Sequence, residues 1–176
     1  AMDAIVASFA GDYLFGDRQT SRNGISVSLM PLDPKESDFG VVDYPLHAIY
    51  GIKQYIDRYG DYSILHQYKD RIISMMDLYG DIADSHSFIH GKIGSGFIPG
   101  WNTKNGPDGR GVASYAQIML YGAYDILADY ARRIWKDKKL AERYSIAAKE
   151  LRDNIMNGFW DNDRKAFING FDRKGK

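Results

Sequence analysis

Carboxyl side chains outside the clearly periodic parts of the chain are the first groups that could do chemistry. Hydrolysis of a glycosidic bond needs two carboxyl groups across a cleft, about 5–5.5 Å apart for retention and about 6.5–9.5 Å for inversion. Most acids at helix starts or in loops instead cap helices or stay solvated. No catalytic pair is therefore assigned, and the candidates are Asp12, Asp17, Asp33, Glu36, Asp38, Asp43, Asp84 and Asp108.

Aromatic rings close to these acids form a second set of candidates. Trp101 follows a Pro-Gly corner, and Phe97, Phe39 and Tyr44 lie in or next to the same kind of glycine-rich segment. An aromatic ring next to an acid suits carbohydrate recognition, because the C–H face of a sugar stacks on an aromatic face. The alternative is that the ring packs in the core and anchors its loop. Both functions stay open for Trp101, and packing is favoured for Phe97.

Metal and cofactor chemistry has little support in the sequence. His86 and His90 are four residues apart, but they stand among Ser, Gly and Phe in a predicted loop, and the chain has no cysteine. No acid pattern completes a zinc site around them. The run Gly94-Ser95-Gly96 lacks the Gly-Lys-Ser/Thr ending of a phosphate-binding loop. We therefore expect no metal site and no cofactor.

Composition narrows the classes of partner. The 176 residues carry 23 basic and 23 acidic side chains, so the formal net charge is zero. A balanced charge favours neither a nucleic acid nor an anionic membrane surface as partner. No apolar run approaches the length that spans a bilayer. Without cysteines the chain forms no disulfides, and the compartment stays undetermined.

The elements that must position the candidates are mostly helices. Apolar residues recur at helical spacing over 64–79, 115–134 and 140–155. Asp43, with Pro45 behind it, is typical of a helix start. Residues 16–43 contain turn formers and are expected to be irregular, with a short strand over Ile25, Val27 and Leu29. A small hairpin is expected after Gly158. The predicted helices are 3–15, 44–59, 61–79, 112–135 and 138–157.

The order of these helices predicts an all-α fold built from helical hairpins. Ile49-Tyr50-Gly51 is echoed by Leu120-Tyr121-Gly122, each in the first helix of a pair whose second helix follows through a tight turn. Repeats of this size are typical of stacked helical hairpins. We therefore expect one domain over residues 1–176, with inner and outer helix pairs at about 44–80 and 112–157.

Connection lengths locate the expected site. Short turns join each inner helix to its outer helix, whereas nearly thirty residues precede each inner helix. Alternate connections of an up-and-down helical array lie on the same face. Long loops are uncommon without a function. Segments 16–43 and 81–111 and the tail after residue 158 are thus expected to gather on one face, where the substrate would bind.

Four segments resemble the α-L-rhamnosidases of glycoside hydrolase family 78. Val41-Val42-Asp43-Tyr44-Pro45-Leu46 is similar to the family's Pro-Asp-Phe-Ser-Leu-Tyr-Trp entry to an inner helix. Tyr59-Gly60-Asp61 is similar to its Thr-Gly-Asp turn. Phe97-Ile98-Pro99-Gly100-Trp101 resembles its Phe-Ile-Asp-Trp segment, and Gly158-Phe159-Trp160-Asp161 resembles its Phe-Trp-Asp-Glu segment. The last motif is shared with debranching and trehalase-like toroids.

The resemblance implies the central part of an (α/α)6 toroid, an incomplete barrel, from an enzyme that hydrolyses terminal α-L-rhamnosides with inversion. It implies a rhamnose-containing glycan as partner and a periplasmic or extracellular bacterial location. Trp101 matches a sugar-binding residue, and Asp43 and Asp108 match by position. Tyr44, the aromatic residue next to Asp43, is a further candidate for substrate binding. Pro99-Gly100 replaces the family's acid before this Trp, which implies weaker sugar binding or a different sugar.

The same resemblance predicts what residues 1–176 would lack. The family's general-acid run, Arg-Glu-Arg with a following Gly-Trp, has no counterpart in this sequence. Its general base is expected beyond residue 176. The chain alone is therefore expected to show no hydrolysis, and the exposed flanks of an incomplete barrel are expected to cause self-association or marginal stability.

Two other functions remain open at this point. One is a non-catalytic module of helical hairpins that binds a glycan or a protein on its loop face. The other is a toroid glycosidase with a different sugar, such as a debranching or trehalase-like enzyme.

Overall fold

A computed structural model describes residues 2–29, 43–90 and 112–171. The chain forms two compact units. Unit 1 comprises residues 1–37 and 44–78, and unit 2 comprises residues 38–43 and 79–176. Trp101 and Asp108 belong to segment 91–111, which lies outside the described residues.

Helices make up most of the described chain, and the strands are two residues long. The helices are α1 (Met2–Phe15), α2 (Arg18–Leu29), α3 (Tyr44–Tyr59), α4 (Ser63–Gln67), α5 (Lys69–Ile82), α6 (Ser114–Arg133) and α7 (Lys138–Phe159). The strands are β1 (Val112–Ala113), β2 (Trp160–Asp161), β3 (Ala166–Phe167) and β4 (Gly170–Phe171). None of the described helices is long and apolar enough to cross a membrane.

Helix α2 corrects the expectation of irregular structure over residues 16–43 in the part up to Leu29, whereas residues 30–42 lie outside the described residues. The predicted strand over Ile25, Val27 and Leu29 is wrong, because Ile25 and Leu29 are buried on one helical face while Val27 is exposed. The Asp17 carboxyl group caps the helix by accepting a hydrogen bond from the backbone N–H of Thr20 at 3.1 Å. Ile25 and Leu29 are four positions apart, which is about one helical turn, so their spacing also fits one face of a helix.

Unit 1 is built around a close approach of α1 to α3. Helices α1, α2 and α3 pack against one another. Gly51 of α3 makes the approach possible, since a Cβ atom at this position would lie 3.2 Å from Cγ2 of Ile5 and 3.5 Å from the Phe9 ring. Helix α3 ends at Gly60, whose φ of +63° gives the left-handed conformation of a helix C-terminus. Both bounds of this helix agree with the prediction.

The predicted helix 61–79 is interrupted at Tyr68. Its residues form α4 and α5 instead, and the backbone of Tyr68 at φ −113° and ψ 15° is not helical. The apolar stripe nevertheless stays buried on both sides of the break. The apolar periodicity therefore identified the buried face but not the interruption at Tyr68. The buried residues of this face are Ile64, Leu65, Ile72, Met75, Met76 and Tyr79.

Unit 2 contains the antiparallel pair α6 and α7, which pack closely along their lengths. Lys136 takes a positive φ of 55° in the tight turn between them. The Asp137 carboxyl group then caps α7 by accepting a hydrogen bond from the backbone N–H of Leu140 at 3.0 Å. This hairpin agrees with the predicted pair of helices at 112–135 and 138–157.

Two short ladders complete unit 2. The predicted tail hairpin is confirmed, with Trp160 opposite Phe167 in the β2–β3 ladder. The β1–β4 ladder was not predicted, and it places Ala113 opposite Gly170. It joins residues far apart in sequence, and the backbone N–H of Ser114 adds a hydrogen bond of 2.9 Å to the carbonyl of Asn169. The C-terminal tail thereby holds the start of α6.

Candidate functional site

The candidate site lies in unit 2 around Asp43, which immediately precedes α3. Asp43 is buried, with 4% of its surface exposed. Charged side chains are seldom buried this completely without a structural or functional reason. The sequence selected Asp43 as a helix start and by resemblance, and the structure adds that it is one of the buried carboxyl groups of the described residues.

Two tyrosines from other helices face the charge of Asp43. Burial raises the pKa of Tyr79 well above its usual value, and electrostatic interactions with Asp43 and then with Tyr124 raise it further. Burial also raises the pKa of Tyr115, with the Asp43 charge as the second cause. Both phenols therefore stay protonated at neutral pH and can donate hydrogen bonds.

Asp43 and the two tyrosines differ in how far they are exposed to solvent. Tyr79 is fully buried at the end of α5, whereas Tyr115 at the start of α6 is 40% exposed. A buried carboxyl group and a partly exposed phenol that interacts with its charge provide an acceptor, a donor and an aromatic face in the same unit. Such a combination is suited to hydroxyl-rich ligands such as sugars.

A buried glutamine in α6 joins both flanks of segment 91–111. The Oε1 atom of Gln117 accepts a hydrogen bond from the Ile89 N–H at 2.9 Å. Its Nε2 atom donates to the Ile89 carbonyl at 2.8 Å and to the Ala113 carbonyl at 3.2 Å. Gln117 itself is fully buried. One side chain thus fixes the residues on both sides of the segment that carries Trp101 and Asp108.

The turn before this segment is held by Asp84. Its carboxyl group accepts hydrogen bonds from the backbone N–H groups of His86 at 2.8 Å and Phe88 at 3.0 Å, and Oδ2 lies 2.6 Å from Nε2 of His90. Burial raises the pKa of Asp84, but the hydrogen bonds from His90, Phe88 and His86 outweigh it and leave the pKa below the ordinary value. The positive φ of Ser87, 61°, belongs to the same turn.

The lowered pKa of Asp84 predicts a pH-dependent contribution to stability. The folded pKa lies below the unfolded value of 3.8, so the contribution is present above that value and is lost as the pH falls through the folded pKa. Asp84→Asn should cost about 1 kcal/mol of unfolding free energy at pH 6. Denaturant unfolding at pH 6 and pH 3 should show this difference shrinking at the lower pH. A difference that is equal at both pH values would contradict the prediction.

The turn is also attached to α7 within unit 2. The side-chain amide of Asn154 donates to the His86 carbonyl at 2.8 Å. The Phe88 ring meets the Phe159 ring edge-on, with 5.1 Å between the centroids. The turn 83–90 is therefore supported by the α6–α7 hairpin through one polar and one aromatic contact.

The chain is similar in structure to a solved rhamnosidase from Klebsiella oxytoca with rhamnose bound, with a TM-score of 0.57 and 15% sequence identity. The likeness covers 74% of this chain and 24% of the rhamnosidase chain. No protein-family model and no curated protein sequence matches this chain.

This structural similarity shows the fold of the chain but not its activity. It confirms the all-α fold class, with helical hairpins like those of the rhamnosidase it matches. At 15% identity the likeness concerns the fold and does not assign the chain to family 78. The chain spans about a quarter of the rhamnosidase it matches.

Among the residues predicted to bind substrate, the structure describes Asp43 and Tyr44. Asp43 is buried, and Tyr44 is the half-buried first residue of α3, with its ring edge-on to His47 at a centroid distance of 6.4 Å. Trp101 and Asp108 lie outside the described residues, so their functions stay predictions. The gathering of the long segments on one face also stays a prediction, as does the single domain over residues 1–176.

Sequence reasoning missed Tyr79, Tyr115 and Gln117 as members of this site. Tyr79 and Tyr115 lie among apolar residues at helical spacing, a pattern that indicates packing in the core. Gln117 did carry a signal, because it is a polar residue one helical turn before Leu120 on the buried face of α6. A buried polar side chain must find hydrogen-bond partners, which indicates a contact with a distant backbone.

The two histidines have structural contacts in unit 2. His86 stacks on the Phe88 ring with 6.1 Å between the centroids, and His90 lies against Asp84. Within residues 2–29, 43–90 and 112–171, no three His, Cys, Asp or Glu side chains come together as metal ligands.

Proposed function

We propose that this chain is part of a glycoside hydrolase of the rhamnosidase type, which cleaves terminal α-L-rhamnosides with inversion. The observation that carries the proposal is the likeness to a rhamnosidase with rhamnose bound, which extends over 74% of this chain. Asp43 and Tyr115 add support, since unit 2 contains in them a hydrogen-bond acceptor, a donor and an aromatic face that interact electrostatically. The finer assignment to family 78 rests on the sequence motifs.

The contribution of this chain would be part of the wall that binds the sugar. Inverting hydrolysis needs one carboxylic acid to protonate the leaving oxygen and one carboxylate to activate water. We assign neither to a residue of this chain. Asp43 would accept hydrogen bonds from sugar hydroxyls and Tyr115 would donate one, while Trp101 would stack on the sugar ring and Tyr44 and Asp108 would line the site.

A direct test is to titrate the isotopically labelled chain with L-rhamnose and follow the amide resonances by NMR. We expect saturable shifts near Asp43 and Tyr115 and no such shifts with D-glucose. Asp43→Asn keeps the shape of the side chain and removes its charge, so the dissociation constant should rise about tenfold with the loss of one charged hydrogen bond.

Asp81→Asn is the matched control, because it makes the same chemical change at an exposed position near the end of α5. It should leave the affinity for rhamnose unchanged. A folded chain whose resonances do not respond to L-rhamnose, or an Asp43→Asn variant that binds as tightly as the original, would contradict the proposed site.

Catalysis is tested on the complete product of the gene. Hydrolysis of an aryl α-L-rhamnoside, with the β-anomer of rhamnose as the first product by NMR, is the expected result. Cleavage of an aryl glucoside instead would favour a toroid glycosidase with another sugar. Sugar binding without any hydrolysis would favour the non-catalytic module.

A further inference from the structure

A polar pocket in unit 1 is separate in its residues from the site around Asp43. Its volume is about 450 Å³. Side chains from α2, from α3 and from the turn that leads into α4 line it. The lining residues are Arg18, Gln19, Arg22, Tyr55, Asp61 and Ser63.

One carboxyl group organises the floor of this pocket. Oδ2 of Asp61 accepts hydrogen bonds from Arg18, from Nη1 of Arg22 at 3.1 Å and from the Tyr55 hydroxyl at 2.8 Å. Its Oδ1 accepts from the backbone N–H of Ser63 at 3.0 Å. Both oxygens of Asp61 are thus engaged by donors of unit 1.

The two guanidinium groups are held in position by further contacts. Nε of Arg18 donates to the Tyr55 hydroxyl at 2.9 Å, and its guanidinium carbon lies 5.5 Å from the centre of the Tyr59 ring. Arg22 donates to Oγ of Ser63 at 2.9 Å and to Oε1 of Gln67 at 2.6 Å. Fixed donors bind a ligand with a smaller loss of entropy than mobile ones do.

Donor capacity remains on both arginines. A guanidinium group carries five N–H bonds. The contacts in the described part of the chain use two N–H bonds of Arg18, one to Tyr55 and one to Asp61. They use three of Arg22, to Asp61, Ser63 and Gln67. Within the described residues, each arginine therefore has N–H bonds left for a ligand.

The charges of the residues that line the pocket do not sum to zero. Two guanidinium groups, which stay charged at any physiological pH, face the one carboxyl group of Asp61. The hydrogen bonds from Ser63, and after them those from Tyr55 and Arg18, hold the pKa of Asp61 far below its usual value against the opposing effect of burial. Asp61 therefore stays ionised, and one positive charge is left in excess.

We propose that this pocket binds a small oxyanion group, a carboxylate, phosphate or sulfate, between the guanidinium groups of Arg18 and Arg22. Guanidinium groups bind such anions through paired, charge-assisted hydrogen bonds. The competing explanation is that the network only ties α2 to the turn before α4. A purely structural network would be saturated by its own contacts and would not respond to added anions.

The test is a titration of the labelled chain with sodium phosphate at constant ionic strength, maintained with sodium chloride. The Nε–H resonances of Arg18 and Arg22 should shift and saturate, and Arg18→Gln or Arg22→Gln should weaken binding at least tenfold. Arg18 is the safer variant for folding, because 52% of its side chain is exposed. Sulfate and acetate, titrated in the same way, distinguish a tetrahedral anion from a planar carboxylate.

The matched control is Arg132→Gln, which removes an exposed guanidinium group of α6 that donates to Ser145. It should leave phosphate binding unchanged. Saturable binding of any of the three anions that is lost in Arg18→Gln supports the proposal. Shifts no larger than those with chloride alone, or binding that survives both arginine substitutions, would overturn it. Neither result depends on whether the chain binds rhamnose.

Discussion

Replacement of Gln117 by leucine is expected to lower the free energy of unfolding of unit 2 by about 3 kcal/mol. The substitution leaves the N–H and the carbonyl of Ile89 without their glutamine partner, and the Ala113 carbonyl loses one donor. Ile89 is buried, so water cannot easily replace the lost bonds. A buried polar group without a partner costs roughly 1–3 kcal/mol, which sets the size of the expected effect.

Denaturant unfolding followed by tryptophan fluorescence measures this effect, since Trp101, Trp135 and Trp160 all belong to unit 2. The control is Gln54→Leu, which makes the same change at an exposed position of α3. It should alter the unfolding free energy by less than about 0.5 kcal/mol. If Gln117→Leu unfolds at the same denaturant concentration as the original chain, Gln117 does not clamp the flanks of segment 91–111.

The Gln117→Leu variant also tests whether the hydrogen bonds of Gln117 to Ile89 and Ala113 contribute to sugar binding. Its folded form, measured well below the denaturant midpoint, should bind L-rhamnose more weakly, because the residues flanking the segment with Trp101 lose a common anchor. Unchanged rhamnose affinity in a destabilised variant would show that the Gln117 hydrogen bonds contribute to stability alone.

Gly51→Leu is expected to destabilise unit 1 by about 3 kcal/mol. The glycine has no room for a side chain, because even a Cβ atom would stand 3.2 Å from Ile5, with Ile25 and Phe9 both at 3.5 Å. A leucine adds three more carbon atoms beyond Cβ. Since α1, α2 and α3 pack around this position, the helices must separate or the side chains must leave their preferred rotamers.

Thermal unfolding followed by far-ultraviolet circular dichroism measures the change in unit 1. Gly11→Leu is the control, because it lies in α1 and a Cβ atom there would meet no atom within 4 Å. It should be neutral or stabilising by up to about 1 kcal/mol, since leucine favours a helix more than glycine does. Similar effects of the two substitutions would show that Gly51 is not a point of close packing.

The sequence alone identified most helices because helical periodicity is local. Residues three and four positions apart share a face, so the stripe of α7 and the buried face shared by α4 and α5 are visible without knowledge of the partner. The tight turn at Lys136-Asp137 was likewise visible, because its conformation depends on the residues of the turn itself. The resemblance of four short segments also indicated the rhamnosidase-like fold to which the structure is similar.

Other elements were not predicted from the sequence, because their local sequence signals are weak or contradictory. Helix α2 contains Asn23-Gly24, an ordinary turn pair, yet Ile25 and Leu29 are buried in unit 1 and packing outweighs the local preference. The break at Tyr68 is not marked by Gly or Pro. Strand β1 has only two residues and is paired by β4 from the far end of the chain.

The candidate site was predictable only in part. Asp43 was selected from its place before a helix, because N-terminal helix positions favour short acids. Only the tertiary structure places it near Tyr79 and Tyr115, which are 36 and 72 residues away in sequence. The physical reason is that helix formation depends on neighbours in the chain. The charge environment of a buried carboxyl group depends instead on which helices pack around it, and that is a property of the folded chain alone.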